Sequence, residues 1–173
     1  MTKSEFPMTN KYQKGTSLLE VLLYIALLAV IMLPIAYLIP AISEAKTKNI
    51  AISEVDQQGL QISRIITQTV RNAKNITSPV LGASANQLTL ETDPITPTIF
   101  DISNETLEIK ENGVVTGLTS PQVLVSSLSF FNYSAPDTPG IIRFQFTLSY
   151  KNNLGRQEYN YSKTFLGSAS LKQ

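Results

Sequence analysis

The sequence predicts an α+β chain: one long N-terminal α-helix, apolar in its first half and amphipathic in its second, packed on an antiparallel β-sheet head. Three observations predict it. Residues 21–42 carry no charge; Val55, Ile62, Ile65, Ile66, Val70, Ala73 and Ile76 recur mostly at spacings of three, four and seven; and beyond Pro79 apolar residues alternate with polar ones. The expected parts are a basic leader over 1–15, a transmembrane helix over 16–43, an amphipathic helix over 44–77 and an antiparallel β head over 78–173.

The charge-free run covers about 22 positions, or roughly 33 Å of helix, enough to cross a hydrocarbon core of about 30 Å. Leu18, Val21, Leu22, Leu23, Ile25, Leu27, Leu28, Pro34 and Ile42 mark this span. Its thirteen Leu, Ile and Val residues contribute about −4 to −8 kcal/mol on an insertion scale, which outweighs about +3 for one acidic residue. Glu20 at its start is therefore tolerable but wants a partner. Pro34 and Pro40 each remove a helix hydrogen bond and permit a kink or local melting. Lys3, Lys11 and Lys14 precede the span, while Glu44, Lys46 and Lys48 follow it with a smaller net charge, so the positive-inside bias places the N-terminus in the cytoplasm and the head outside. A secretory signal peptide would put a shorter apolar run before its cut; Ala41-Ile42-Ser43 satisfies the small-x-small rule, but the run ahead of it is too long for that class.

After Ile42 the 3.6-residue pattern predicts an amphipathic helix, weakened locally by Gly59 and ended by Ser78-Pro79, because a residue before proline avoids the α region. One helix from Ser17 to near Thr77 is expected. Strands follow at Leu88/Leu90, Ile99-Phe100/Ile102, Leu107/Ile109 and Phe144/Phe146/Leu148/Tyr150, with others over 123–133 and 157–165. Asn112-Gly113 between two such runs signals a type I′ hairpin, and turns are expected over 136–140 and 152–155.

Composition narrows the chemistry. Among 173 residues there is no cysteine and no histidine, which removes disulfides, thiolate zinc sites and both Ser-His-Asp and Cys-His catalysis. The formal charge is +1 from 14 basic and 13 acidic residues. Without the leader's three lysines and Glu5 the balance becomes 11 − 12, or −1.

Lys14-Gly15-Thr16-Ser17-Leu18-Leu19-Glu20, running into Val21-Leu22-Leu23-Tyr24-Ile25-Ala26, resembles the class III signal of type IV prepilins and type II secretion pseudopilins. In that family a prepilin peptidase cuts after the glycine. The resemblance implies cleavage between Gly15 and Thr16, and makes Glu20 the fifth mature residue and an assembly residue. Thr16 departs from the Phe, Met or Leu usual at the first mature position, which bears on the N-methylation usual there. A free α-amine at Thr16 would lie about one helical turn from Glu20, so one subunit's cationic end could neutralise a neighbour's carboxylate in a bilayer or filament core. The layout resembles a pilin-like fold over the whole chain, and the stretch over 57–76 is similar to minor pilins and larger minor pseudopilins.

The resemblance implies a structural role with no enzymatic activity and no cofactor. The implied partners are other pilin or pseudopilin subunits, the prepilin peptidase, an inner-membrane assembly platform and the lipid bilayer. The implied location is the inner membrane, then a surface or periplasmic filament. A non-polymerising anchored binding module, with Gly15 uncut and Glu20 dispensable, stays open, as does a membrane-tethered hydrolase, against which the missing His and Cys count.

Elsewhere no Gly-rich phosphate loop or metal-ligand cluster is visible. Asp93, Asp101, Glu105, Glu108 and Glu111 read as a solvated face. Arg143, Lys151, Arg156, Lys163 and Lys172 are basic, but from Ala51 onward 9 basic residues meet 10 acidic ones, so nucleic acid is not an expected partner. Sequons at Asn75, Asn104, Asn132 and Asn160 are expected by chance in a chain this rich in Asn, Ser and Thr.

Overall fold

A computed structural model describes residues 17–92, 96–136, 138–152, 155 and 159–172. The chain divides into two compact units, Met1–Ser43 and Glu44–Gln173. One helix, α1 (Leu18–Asn72), contributes residues to both.

Within the second unit α1 buries Ala51, Val55, Gly59, Ile62, Ile66 and Val70. These follow one another at intervals of three and four, so they form one stripe on a 3.6-residue helix. The head has two antiparallel sheets. The five-stranded sheet has the order β1 (Asn75–Ser78), β3 (Leu88–Glu91), β4 (Thr98–Ser103), β5 (Thr106–Glu111), β6 (Val114–Gly117). The four-stranded sheet has the order β2 (Ser84–Ala85), β7 (Val123–Asn132), β8 (Ile141–Tyr150), β9 (Ser162–Ser170). The α+β class is as predicted, and the head holds two sheets.

The helix stops at Asn72, short of the predicted residue 77. Another set of backbone partners takes over there. The Lys74 amide donates to the Glu91 carbonyl at 2.7 Å, Asn75 and Ile76 pair with Glu91 and Leu90, and the Arg71 carbonyl receives the Lys172 amide at 3.2 Å. Cross-strand bonds thus satisfy groups that another helical turn would otherwise have used. Ile76 still packs on the core, but from a strand, and Pro79 follows β1 instead of ending the helix.

In β8, Ile142, Phe144, Phe146 and Leu148 point inward with polar residues between them, as the alternation predicts. β7 keeps its apolar face by a different device. Its buried positions are Val123 and Val125, then Leu128, Phe130 and Asn132, because its register with β8 shifts between Val125 and Ser127. A β-bulge there re-aims the second half of the strand, where strict alternation would have turned Leu128 and Phe130 to solvent. The last strand is also displaced. β9 runs Ser162–Ser170, later than the predicted 157–165, because Phe165 and Ala169 both face the core and set its span. Residues 157 and 158 lie outside the described residues, as do parts of the turns expected over 136–140 and 152–155.

Both tight hairpins use left-handed residues. Asn112 and Gly113 have φ of 51° and 76°, the type I′ geometry predicted. Asn104 and Glu105, joining β4 to β5, have φ of 48° and 60°; a glutamate is unusual in that region. The Glu105 carbonyl accepts the Val125 amide at 2.8 Å, a backbone link between the two sheets.

A single cluster collects the stripe of α1 and the inner faces of both sheets, including Val55, Ile62, Ile66, Val70, Leu88, Leu90, Phe100, Leu107, Phe130, Phe144, Phe146 and Phe165. Full burial of such a side chain stabilises by about 1.5–3 kcal/mol. Phe146 stacks on Phe144 at 6.3 Å and on Phe165 at 5.3 Å between centroids. The Phe165 ring occupies the space over Gly59, where an added Cβ would lie 2.0 Å from its Cζ. Gly59 is therefore a packing position as well as a weak helix former. Polar ties flank it: the Ser120 amide donates to Gln58 Oε1 at 2.8 Å, the Ser120 hydroxyl to Glu54 Oε1 at 3.1 Å, and Lys163 Nζ meets Asp56 Oδ1 at 2.9 Å. The hydrogen bond to Asp56 raises the Lys163 pKa above the ordinary 10.5, with desolvation opposing it.

Candidate functional site

Of the predicted site residues, Glu20 lies in the first turn of α1 and the span residues from Leu18 to Ile42 lie along the same helix. Ser17 begins the described chain and caps the helix. Its carbonyl accepts the Glu20 and Val21 amides at 2.9 and 3.2 Å, and its hydroxyl accepts the Glu20 amide at 3.3 Å. Ser17 and Glu20 thus occupy the N-cap and N3 positions of the S-x-x-E signature. Glu20 lies in the first turn, where the partial positive charge of the helix N-terminus favours an anion. The hydroxyl of Tyr24, one turn on, donates to Glu20 Oε1 at 3.0 Å.

From this turn onward every residue over 18–42 is exposed, and its large apolar side chains range from 43% at Val21 to 80% at Leu18. Leu22, Leu23, Ile25, Leu27, Leu28 and Ile42 all share this exposure, so no side of the segment is covered by the other described residues. The helix reaches a mean hydropathy of 2.7 over 18 residues, and none of that window is buried. By length and composition it can cross a membrane. Pro34 and Pro40 lie inside it, and the helix continues through both. Each lacks an amide, so the carbonyls of Val30 and Ala36 lose their helical donors without a break in the element. Gly15 and Thr16, with Lys14, lie outside the described residues.

The remaining candidates are dispersed. Lys110 Nζ pairs with Asp101 Oδ2 at 2.6 Å and approaches Glu108 Oε2 at 3.9 Å. Glu111 accepts a hydrogen bond from Thr98 at 3.2 Å, and Asp93 lies outside the described residues. Among the described residues no three acidic side chains gather where they could hold a metal ion. Arg143 is exposed on β8, Lys163 faces Asp56 from β9, and Arg156 lies outside the described residues. Lys74 and Lys172 line an open groove of about 540 Å³ with Asn75, Ser134 and Thr138. Of the sequons, Asn132 is only 4% exposed. Its amide donates to the Pro79 carbonyl at 2.8 Å and its oxygen accepts the Ser134 amide at 3.0 Å, so in the folded head it is a structural residue.

Reasoning from sequence missed two polar members of the N-terminal turn, Ser17 and Tyr24. The signals were available: serine three residues before glutamate is a cap signature, and tyrosine four residues after it lies on the same helix face. No protein-family model, no curated protein and no solved structure matches the chain.

Proposed function

We propose that the chain is a minor pilin-like structural subunit of a bacterial type IV pilus or type II secretion pseudopilus. In this reading a prepilin peptidase cuts after Gly15, and the subunit waits in the inner membrane with its head outside. It then enters a filament through its N-terminal helix on an assembly platform. The observation that carries the reading is a helix segment exposed on every side, with one carboxylate in its first turn. A membrane satisfies such a surface for a single subunit, and neighbouring copies of the same helix satisfy it in a bundle. Glu20 needs more than either, because an isolated carboxylate in hydrocarbon costs several kcal/mol. The α-amine freed at Thr16 of a neighbour would neutralise it and set the axial register.

The head supports the reading by its independence. Its core is closed by the stripe of α1 from Ala51 onward, together with both sheets, so the preceding apolar segment is not needed to complete it.

The deciding experiment is N-terminal sequencing of the protein from native membranes with and without the prepilin peptidase. A mature chain beginning at Thr16 only in the presence of the peptidase is the expected result. A chain beginning at Met1 or Glu44 would replace filament assembly by an anchored or secreted module.

A further inference from the structure

Over residues 18–42 the only charged side chain is Glu20, and the only side chains with strong hydrogen-bond donors are Tyr24 and Tyr37. Tyr37 stands about 25 Å further along the helix and cannot reach the carboxylate. Tyr24 sits one turn away on the same face and donates to Oε1 at 3.0 Å, while Oε2 has no partner among the described residues. The Ser17 hydroxyl is engaged with the Glu20 amide. We infer that Tyr24 is a positioning residue for Glu20: its hydroxyl satisfies one carboxylate oxygen of the unassembled subunit within the membrane.

The physical basis is local. Apolar lipid offers a carboxylate no donors, so a lone subunit must carry its own or draw in water and headgroups. A tyrosine at i+4 supplies one without an added charge, and its ring remains compatible with the membrane interface. Phenylalanine in its place would keep the ring and lose only the donor. The inference deepens the proposed assembly role of Glu20, but the bond should act on membrane residence of a single chain whether or not that chain ever polymerises.

The test is a double-mutant cycle on insertion of the full chain into microsomes, read by glycosylation of the head's native sequons at Asn75 and Asn104. The span is first weakened with alanine at Leu27, Leu28 or Leu33, as many as needed to bring each background to about half insertion. With Glu20 present, Tyr24→Phe should lower the inserted-to-uninserted ratio about three- to tenfold. In a Glu20→Leu background the same change should alter it by less than about 1.5-fold. An equal loss in both backgrounds would show that the hydroxyl serves only as an interfacial anchor, and no loss in either would show that Glu20 needs no donor. Both results overturn the inference. Because microsomes supply neither peptidase nor neighbouring subunits, the cycle gives its answer even if sequencing rejects cleavage at Gly15.

Discussion

The two halves of α1 use the same apolar residues to opposite ends. In the second half, Val55, Ile62, Ile66 and Val70 are completely buried; in the first, Leu22, Ile25 and Leu28 are each more than half exposed. Hydrophobicity alone does not separate them. Polar residues do: after Ser43 they interrupt the helix and leave one stripe, which a single chain can cover with its own sheets. Before Ser43 almost nothing interrupts it, and none of its faces is covered by the other described residues. A stripe builds a domain, whereas an unbroken apolar cylinder needs a membrane or other helices.

That contrast breaks most visibly if damage to one region spreads to the other. Replacing both Leu27 and Leu28 with arginine should cost about 6–8 kcal/mol of insertion free energy. The same double substitution should change head stability by less than about 0.5 kcal/mol, as judged by glycosylation in microsomes and denaturant unfolding in detergent. Phe146→Ala is the converse. Loss of a fully buried ring between Phe144 and Phe165 should destabilise the head by about 3–5 kcal/mol in urea unfolding and leave insertion intact.

Gly59→Ala sharpens the comparison inside the helix. On an exposed helix face this change stabilises by up to about 1 kcal/mol. Here the new methyl meets the Phe165 ring, so a loss of about 1–3 kcal/mol is expected in the same unfolding assay. Glu105→Gly should act in the opposite direction, because glycine relieves the left-handed backbone between β4 and β5 and raises stability by about 0.5–1 kcal/mol.

The smallest effect is the pH dependence of the Lys163–Asp56 pair. The folded lysine has a raised pKa, so the pair's contribution is fully present below the unfolded value near 10.5 and is lost as pH rises through the folded value. Thermal melts from about pH 9 to about pH 12, about 1.5 units to either side of the unfolded value, should show a slight extra decline in the wild type that Asp56→Asn removes.

Much of the fold was legible because local pattern and final environment agree. The alternation over β8, the Asn112-Gly113 turn and the stripe from Val55 to Val70 are all one-dimensional signals of one-sided burial. Departures from local pattern lie where partners distant in sequence decide. Ile76 fits the helical stripe, yet Leu90 and Glu91 capture its strand. Leu128 breaks the parity set by Val125, and only pairing with β8 shows that a bulge restores it. Within the candidate site, Glu20 and the apolar run were visible by type and position, whereas the bonds from Ser17 and Tyr24 depend on how the first turns are capped.

By itself the sequence determined that residues 21–42 form a membrane-length apolar helix, that a striped helix and alternating strands follow, and that histidine and cysteine chemistry is absent. These follow from residue type and spacing, which need no knowledge of partners. Tertiary structure decided where α1 ends, which strands share a sheet and why Gly59 lies beneath Phe165. Each of these depends on backbone hydrogen bonds or side-chain contacts whose partners, often far apart in sequence, are brought together only by folding.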